Sequence, residues 1–180
     1  ALVTESTTSV FGGNFSLNLA DCVSTTGADG SVVYTVLTGT GNKDMSALSL
    51  SNITLGTYKM GKTWTFGTDG TISYKVTTKD VVWSEGASLS WGATGTAFTT
   101  GGDFTNGDNV TISTSADVTI AEGGVEAVTL VIQGEGTHVK LTNAGPIYVA
   151  EKVLVKDGAK LELAASSGGV GVIRAESSGY

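Results

Sequence analysis

The 180-residue sequence predicts an all-β fold, a β-solenoid or a β-sandwich of short Gly-punctuated strands with little or no helix. Three observations carry that prediction. Short β-branched triplets recur between Asn109 and Ile173: Val110-Thr-Ile112, Val118-Thr-Ile120, Val128-Thr-Leu-Val-Ile132, Val139-Lys-Leu141, Ile147-Tyr-Val149, Val153-Leu-Val155, Leu161-Glu-Leu163 and Val170-Gly-Val-Ile173. Alternation puts the first and third residue of a triplet on one face and the middle one on the other, as in a half-buried strand. Next, 26 glycines stand with a single proline and frequent Thr and Ser, and no run of Ala, Leu, Glu or Lys supplies helix formers. Finally, Asp108-Asn-Val-Thr-Ile112 returns almost unchanged as Ala116-Asp-Val-Thr-Ile120. With three short strands to a turn, a coil would hold roughly 20 to 30 residues, the range of known solenoid repeats, and about three turns would fit.

The elements can be justified in order. Ser9 to Leu19 and Ser31 to Leu37 read as strands, with Thr25-Thr-Gly-Ala-Asp-Gly30 between them, whose Asp-Gly favours a tight turn at positive φ. From residue 45 to 82 the strand pattern continues in Leu48-Ser-Leu50, Ile53-Thr-Leu55, Tyr58-Lys-Met60, Trp64-Thr-Phe66, Ile72-Ser-Tyr74 and Val81-Val82. Asp69-Gly70 marks a hairpin between Thr63–Phe66 and Thr71–Val76. A glycine-rich stretch with Gly101-Gly102 and Asn106-Gly107 as breakers then divides the chain. The expected organisation is an N-terminal β region over 1–84, a connection over 85–107 and a solenoid-like repeat region over 108–180.

Charge and cysteine content narrow the function classes. A formal net charge of -7 disfavours nucleic acid, whose phosphates attract basic stripes. Cys22 is the only cysteine, so neither an intrachain disulfide nor a thiolate metal cluster can form. With no basic residue nearby in sequence to lower its pKa, Cys22 reads as an inert thiol. No apolar stretch approaches membrane-spanning length, and a start at Ala1 rather than Met fits a removed signal peptide.

From Val81 onward the residues are similar to a known family. Val82-Trp83-Ser-Glu-Gly86, Ser90-Trp91-Gly92, Thr96-Ala-Phe98 and Phe104-Thr-Asn-Gly-Asp-Asn-Val-Thr111 resemble the opening of the autotransporter-associated β-strand repeat proteins of bacterial surfaces. Leu141-Thr-Asn-Ala-Gly145 to Ile147, and Val153-Leu-Val-Lys-Asp-Gly-Ala-Lys-Leu161, are similar to later elements of that family. The resemblance covers about the C-terminal half. It implies a structural role on a cell surface and offers no catalytic residues to transfer.

Candidate chemistry is sparse. Arg174 and His138 are the sole arginine and histidine, and neither lies in a motif that would join a nucleophile, a base and an orienting group. Aspartates such as Asp103, Asp108, Asp29, Asp44 and Asp69 offer oxygen ligands of the kind calcium takes. Turn chemistry explains Asp and Asn beside Gly equally well. Trp83 and Trp91, joined by Trp64, Tyr58 and Tyr74, form either a platform for sugar rings or part of the apolar core. Sequons stand at Asn14, Asn52 and Asn109.

The expectation is therefore a non-enzymatic, secreted or cell-surface structural protein. It would be a homo-oligomer or polymer, as a filament or matrix subunit or an adhesin stalk segment that assembles by edge-strand pairing. The segment Ala1 to Val10, polar with interspersed Val3 and Val10, is the expected donated strand. Glycan binding through the tryptophans is the alternative.

Overall fold

A computed structural model describes residues 2–4, 15–55, 58–84, 89–166 and 173–175. The fold is all-β: among these residues the helical segments are two three-residue 3₁₀ turns, Leu19–Asp21 and Leu50–Asn52. The chain separates into two compact units that divide between Val76 and Thr77. That is earlier than the glycine-rich stretch where the sequence places its break. Gly and Ser content marks backbone freedom, whereas a unit boundary is set by which strands pair, and residues 89–107 pair with Val82–Trp83 before them, with Thr119–Ile120 after them and with one another.

Unit 1 holds β1 (Leu2–Thr4), β2 (Phe15–Ser16), β3 (Ser24–Thr26), β4 (Val32–Thr35), β5 (Leu37–Gly39), β6 (Ile53–Thr54), β7 (Lys62–Phe66) and β8 (Thr71–Val76). Strands β3, β4, β8 and β7 form an antiparallel sheet in that order, and β1–β5 and β2–β6 are parallel pairs. Both Asp-Gly turns form as expected, and they share one construction. Asp29 Oδ1 accepts from the Ser31 amide at 3.1 Å and hydroxyl at 2.7 Å, while Asp69 Oδ1 accepts from the Thr71 amide at 3.2 Å and hydroxyl at 2.6 Å. Gly30 and Gly70 take φ of 80° and 85°, a region closed to most side chains. At Gly70 a Cβ would also meet the Leu37 carbonyl. The first turn joins β3 to β4, so the arm before it is Ser24–Thr26 and not Ser9 to Leu19. Leu48–Leu50 is irregular and leads into the second 3₁₀ turn, and Tyr58–Met60 is irregular up to a turn at Met60, so neither is a strand. Leu19, Val36, Leu37, Met45, Leu48, Leu55 and Ile72 form the core of this unit.

Unit 2 holds β9 (Asp80–Trp83), β10 (Ser90–Trp91), β11 (Thr94–Gly95), β12 (Phe98–Thr100), β13 (Phe104–Thr105), β14 (Asp108–Ile112), β15 (Ala116–Ile120), β16 (Val125–Ile132), β17 (His138–Asn143), β18 (Ile147–Val155), β19 (Lys160–Ala165) and β20 (Ile173–Ala175). From β14 onward the chain alternates between two ladders. One runs β9-β14-β16-β18-β20 and the other β10-β15-β17-β19, and every pairing within them is parallel. Paired residues lie 19 to 23 positions apart from β14 to β19, as Val110 pairs with Leu130, Leu130 with Val153, and Val118 with Leu141, but 29 apart where Val81 meets Val110 and 26 where Ile147 meets Ile173. A circuit thus contains two ladder strands rather than the three the sequence spacing suggests. Ile147–Val149 and Val153–Val155, read as separate rungs, are the two halves of β18, joined across an irregularity opposite Ala127 and Thr129.

Parallel register stacks like on like. In the first ladder Val81, Val110, Leu130 and Val153 make one inward row, and Ile112, Ile132 and Val155 another. In the second ladder Ala116, Val139 and Leu161 stack, as do Val118, Leu141 and Leu163. At a corner, Gly145 lies so close to the preceding circuit that a Cβ would meet the Ala121 and Glu122 carbonyls. One outward row is polar: Thr129 Oγ1 donates to Asn109 Oδ1 and Asn109 Nδ2 donates to Asp80 Oδ1, both at 2.9 Å, while a second runs Thr111, Val131, Leu154.

Candidate functional site

The two ends of the unit 2 ladders differ. At the β9 end, Trp83, Trp91, Phe98 and Phe104 fill the space between the ladders. Trp83 meets Phe98 edge-on with centroids 5.1 Å apart, and Trp91 meets Phe104 the same way at 5.3 Å, the favoured arrangement of aromatic quadrupoles. The free edge of β9 is taken by β12, which pairs with it antiparallel. An antiparallel strand at the end of a parallel ladder occupies backbone groups a further parallel strand would need, so the first ladder is covered at this end, while the second begins at the two-residue β10.

The opposite end carries no such cap among the described residues. Among the described residues β18 pairs with β16 along its length and with β20 across Ile147–Val149, and Lys152–Val155 have β16 as their described partner. β19 is the last strand of the second ladder. The inward rows surface here: Val153, Val155 and Leu163 are each about 40% exposed and Leu161 is half-buried, whereas Val110, Ile112, Leu130, Ile132 and Leu141 beneath them are fully buried. Outward on the same edges stand Lys152 and Glu162. Glu162 already receives His138 Nε2 and Lys140 Nζ, each at 3.3 Å, in a row that runs Asp117, Lys140, Glu162. Apolar core ends beside unpaired backbone make this the candidate site, and what it can do is accept strands.

The structure corrects the sugar platform. Trp83 and Trp91 are 2% and 0% exposed, so neither offers a face to a ring. They lie inward because Trp83 stands two residues from inward Val81 on the same strand and Trp91 pairs with inward Ile120. Trp64 and Tyr74 pack 4.8 Å apart in unit 1, and Lys62 Nζ sits 3.6 Å from the Tyr58 ring centre and 4.8 Å from that of Tyr74. That cluster is engaged by the chain's own cation. On the other side of the same sheet, Asp29, Ser31, Thr63, Thr65, Ser73 and Lys75 line a groove of about 320 Å³, spanned by the Lys75–Asp29 ion pair at 2.7 Å.

The calcium reading of Asp103 and Asp108 is corrected as well. Asp108 is buried, and its carboxylate accepts from the Lys79 amide at 3.2 Å, the Thr105 amide at 2.8 Å and the Thr105 hydroxyl at 3.1 Å. Lys79 Nζ lies 3.9 Å from that carboxylate and donates to the Asp103 carbonyl. The position a cation would take thus belongs to lysine, and Asp108 serves to tie β9 to β14. Among the described residues no three His, Cys, Asp or Glu side chains group closely enough to hold a metal ion. Asp29, Asp44 and Asp69 spend their oxygens on their own turns, on Ser31, Ser46 and Thr71.

Val3, expected on a free segment, lies in β1, whose backbone pairs with Leu37–Gly39 of the same chain. That corrects the picture of an unattached donor, since one edge of the segment is already used. Val10 falls outside the described residues, as do Asn14 and the first rung residues of Val170–Ile173. Asn109 is held between Asp80 and Thr129, so its sequon coincides with a structural amide. Cys22 Sγ lies 3.7 Å from the Asn18 carbonyl, a half-buried thiol with a local partner. His138 and Arg174 are both exposed on ladder strands. No helix among the described residues is long and apolar enough to cross a membrane.

Sequence reasoning expected open backbone edges at the ends of the repeat but not which residues stand there. The row positions of Val153, Val155, Leu161 and Leu163 were legible, but only register shows that they are the last of their rows among the described residues. No protein-family model, curated protein or solved structure matches the chain.

Proposed function

We propose that the protein is a secreted or cell-surface structural component in which unit 2 is a short β-solenoid that supplies length and a joining surface. One observation carries the reading. The two parallel ladders are in register around a core filled by aromatics at one end, where an antiparallel strand pairs with β9, and finish in exposed inward residues at the other. Stacked circuits of this kind bury a continuous core that resists local opening, because each circuit contacts only its neighbours along a single axis. The tryptophan-punctuated stretch that resembles bacterial surface repeat proteins becomes, on this reading, the cap that starts the solenoid. A capped first circuit favours a stalk segment or an end-joined subunit over a filament that stacks head to tail. The glycan-binding alternative loses the two rings on which it rested.

Immunogold labelling of intact source cells, with permeabilised cells alongside, tests the location. Label on intact cells is the expected result. Label that requires permeabilisation overturns the surface role.

A further inference from the structure

We propose that the polar face of the unit 1 sheet binds a neutral saccharide, held by hydrogen bonds in the groove between the Asp29 turn and strands β7 and β8. The inference concerns unit 1 and goes beyond the solenoid reading of unit 2. Three observations carry it.

The first is how the groove is built. Strand alternation sends Trp64, Phe66 and Ile72 to the core side of the sheet and turns Thr63, Thr65, Ser73 and Lys75 to the other. Thr63 pairs with Lys75 and Thr65 with Ser73, so three short hydroxyl side chains make a low floor. The turn forms a wall. A Cβ at Gly27 would meet Ser31 Oγ and Asp29 Oδ1, so these two groups lean over the place a side chain would fill. Lys75 Nζ reaches Asp29 Oδ2 at 2.7 Å across the groove. Its volume of about 320 Å³ lies at the small end of ligand pockets, which run from about 300 to 1,000 Å³.

The second is that these groups exceed what folding asks of them. Asp69 and Thr71 close a turn of the same construction with a single carboxylate oxygen. Asp29 Oδ1 does the same on Ser31, and Oδ2 takes Lys75 besides. Both partners of that ion pair are more than half exposed, at 57% and 52%, and such pairs contribute little to stability. Among the described residues the hydroxyls of Thr63, Thr65 and Ser73 have no hydrogen-bond partner. The groove therefore presents donors and acceptors that the sheet itself does not use.

The third is the chemistry these groups share. Carboxylate and ammonium together carry no net charge, so the pair favours neither an anion nor a cation. Each hydroxyl both donates and accepts, the carboxylate accepts from two neighbouring hydroxyls, and the ammonium donates. An uncharged ring that carries several hydroxyls in fixed positions satisfies all three kinds of group together, and its rigidity leaves little conformational entropy to lose. That molecule is a sugar. Trp64 faces the opposite side of the sheet, so affinity rests on hydrogen bonds exchanged with water, whose small net worth sets a dissociation constant of about 1 mM.

Titration of the isotope-labelled full chain with D-glucose, D-galactose, D-mannose, N-acetyl-D-glucosamine and lactose, followed by amide NMR shifts, tests this. At least one sugar should shift the amides of residues 29–31, 63–65 and 73–75 at millimolar concentration. Thr65→Val and Ser73→Val keep the strand preference and remove one hydroxyl each, and Lys75→Met removes the ammonium. Each should weaken binding about fivefold, the net worth of one hydrogen bond, with the melting temperature held. Thr63→Val replaces any of these that unfolds. Glycine and phosphate, which carry charges for Asp29 or Lys75, should shift the same amides no more than sodium chloride does at equal ionic strength. Absence of shifts at these residues with every sugar overturns the proposal. Variants that bind as well as the wild type overturn it by placing the sugar elsewhere, and glycine or phosphate shifts that match those of the sugars overturn the choice of a neutral ligand.

Discussion

Ile112 and Val155 stand two circuits apart in the same inward row, yet Ile112 is fully buried and Val155 is 41% exposed. Position in the row is a property of strand alternation. Burial requires a further layer, and β18 is the last strand to span that part of the row among the described residues. Ile112→Asp should therefore unfold unit 2, because an unpaired buried carboxylate costs several kcal/mol against a total stability of roughly 5 to 15 kcal/mol. Val155→Asp should shift the midpoint of thermal unfolding by a small fraction of that. Equal losses in the two variants would mean that the end is covered.

Trp83 and Trp91 should prove structural. Replacing either by Ala removes a ring from a fully enclosed cluster and should cost about 3 to 5 kcal/mol. Denaturant melts followed by tryptophan fluorescence measure the loss. Soluble oligosaccharides should leave the emission of the wild type unchanged, since no ligand can reach these rings without unfolding the cap.

Asp108 fastens the first circuit to the second. Asp108→Ala would strand the amides of Lys79 and Thr105 and should cost about 2 to 3 kcal/mol, in line with other buried donors left without acceptors. Calcium or a chelator should not move the melting temperature of the wild type. A calcium-dependent rise would restore the metal reading.

The turn aspartates set an acid limit for unit 1. Lys75, and then Ser31, hold the Asp29 carboxyl well below the usual carboxylate range, Thr71 lowers that of Asp69, and Ser46 lowers that of Asp44. A carboxylate with a depressed folded pKa contributes stability that is complete above its unfolded value, about 3.9, and is lost as the pH falls through the folded value. Stability should hold flat from neutrality to about pH 5 and decline below about pH 4. Asp69→Asn should lower the plateau and flatten the decline. An acid limb of unchanged slope in that variant would assign the loss to other groups.

Deletion of Ala1–Thr4 should leave the association state of the chain unchanged. Those residues include β1, paired within unit 1, and the joining surface lies in unit 2. Sedimentation of the truncated chain beside the wild type checks this, and loss of assembly would return the joining role to the N-terminal strand.

Much of this fold was legible in the sequence by itself. Alternation of Val, Ile and Leu with Thr and Lys fixed which residues of Val110–Ile112, Val118–Ile120 and Val139–Leu141 turn inward, because the two-residue period of a strand is local. The Asp-Gly turns at 29–30 and 69–70 were equally plain, since positive φ and a carboxylate two residues before its amide partner involve no distant atoms. Partnership was not legible. That Val33 pairs with Ser73, that β9 takes β12 on one side and β14 on the other, and that Trp83 and Trp91 close a core rather than face solvent all depend on residues beyond the local strand. The same holds for Asp108, whose neighbours Lys79 and Thr105 arrive from different strands. Tertiary structure also decided the difference between the two ends, because an exposed inward residue is defined by the layer that does not cover it.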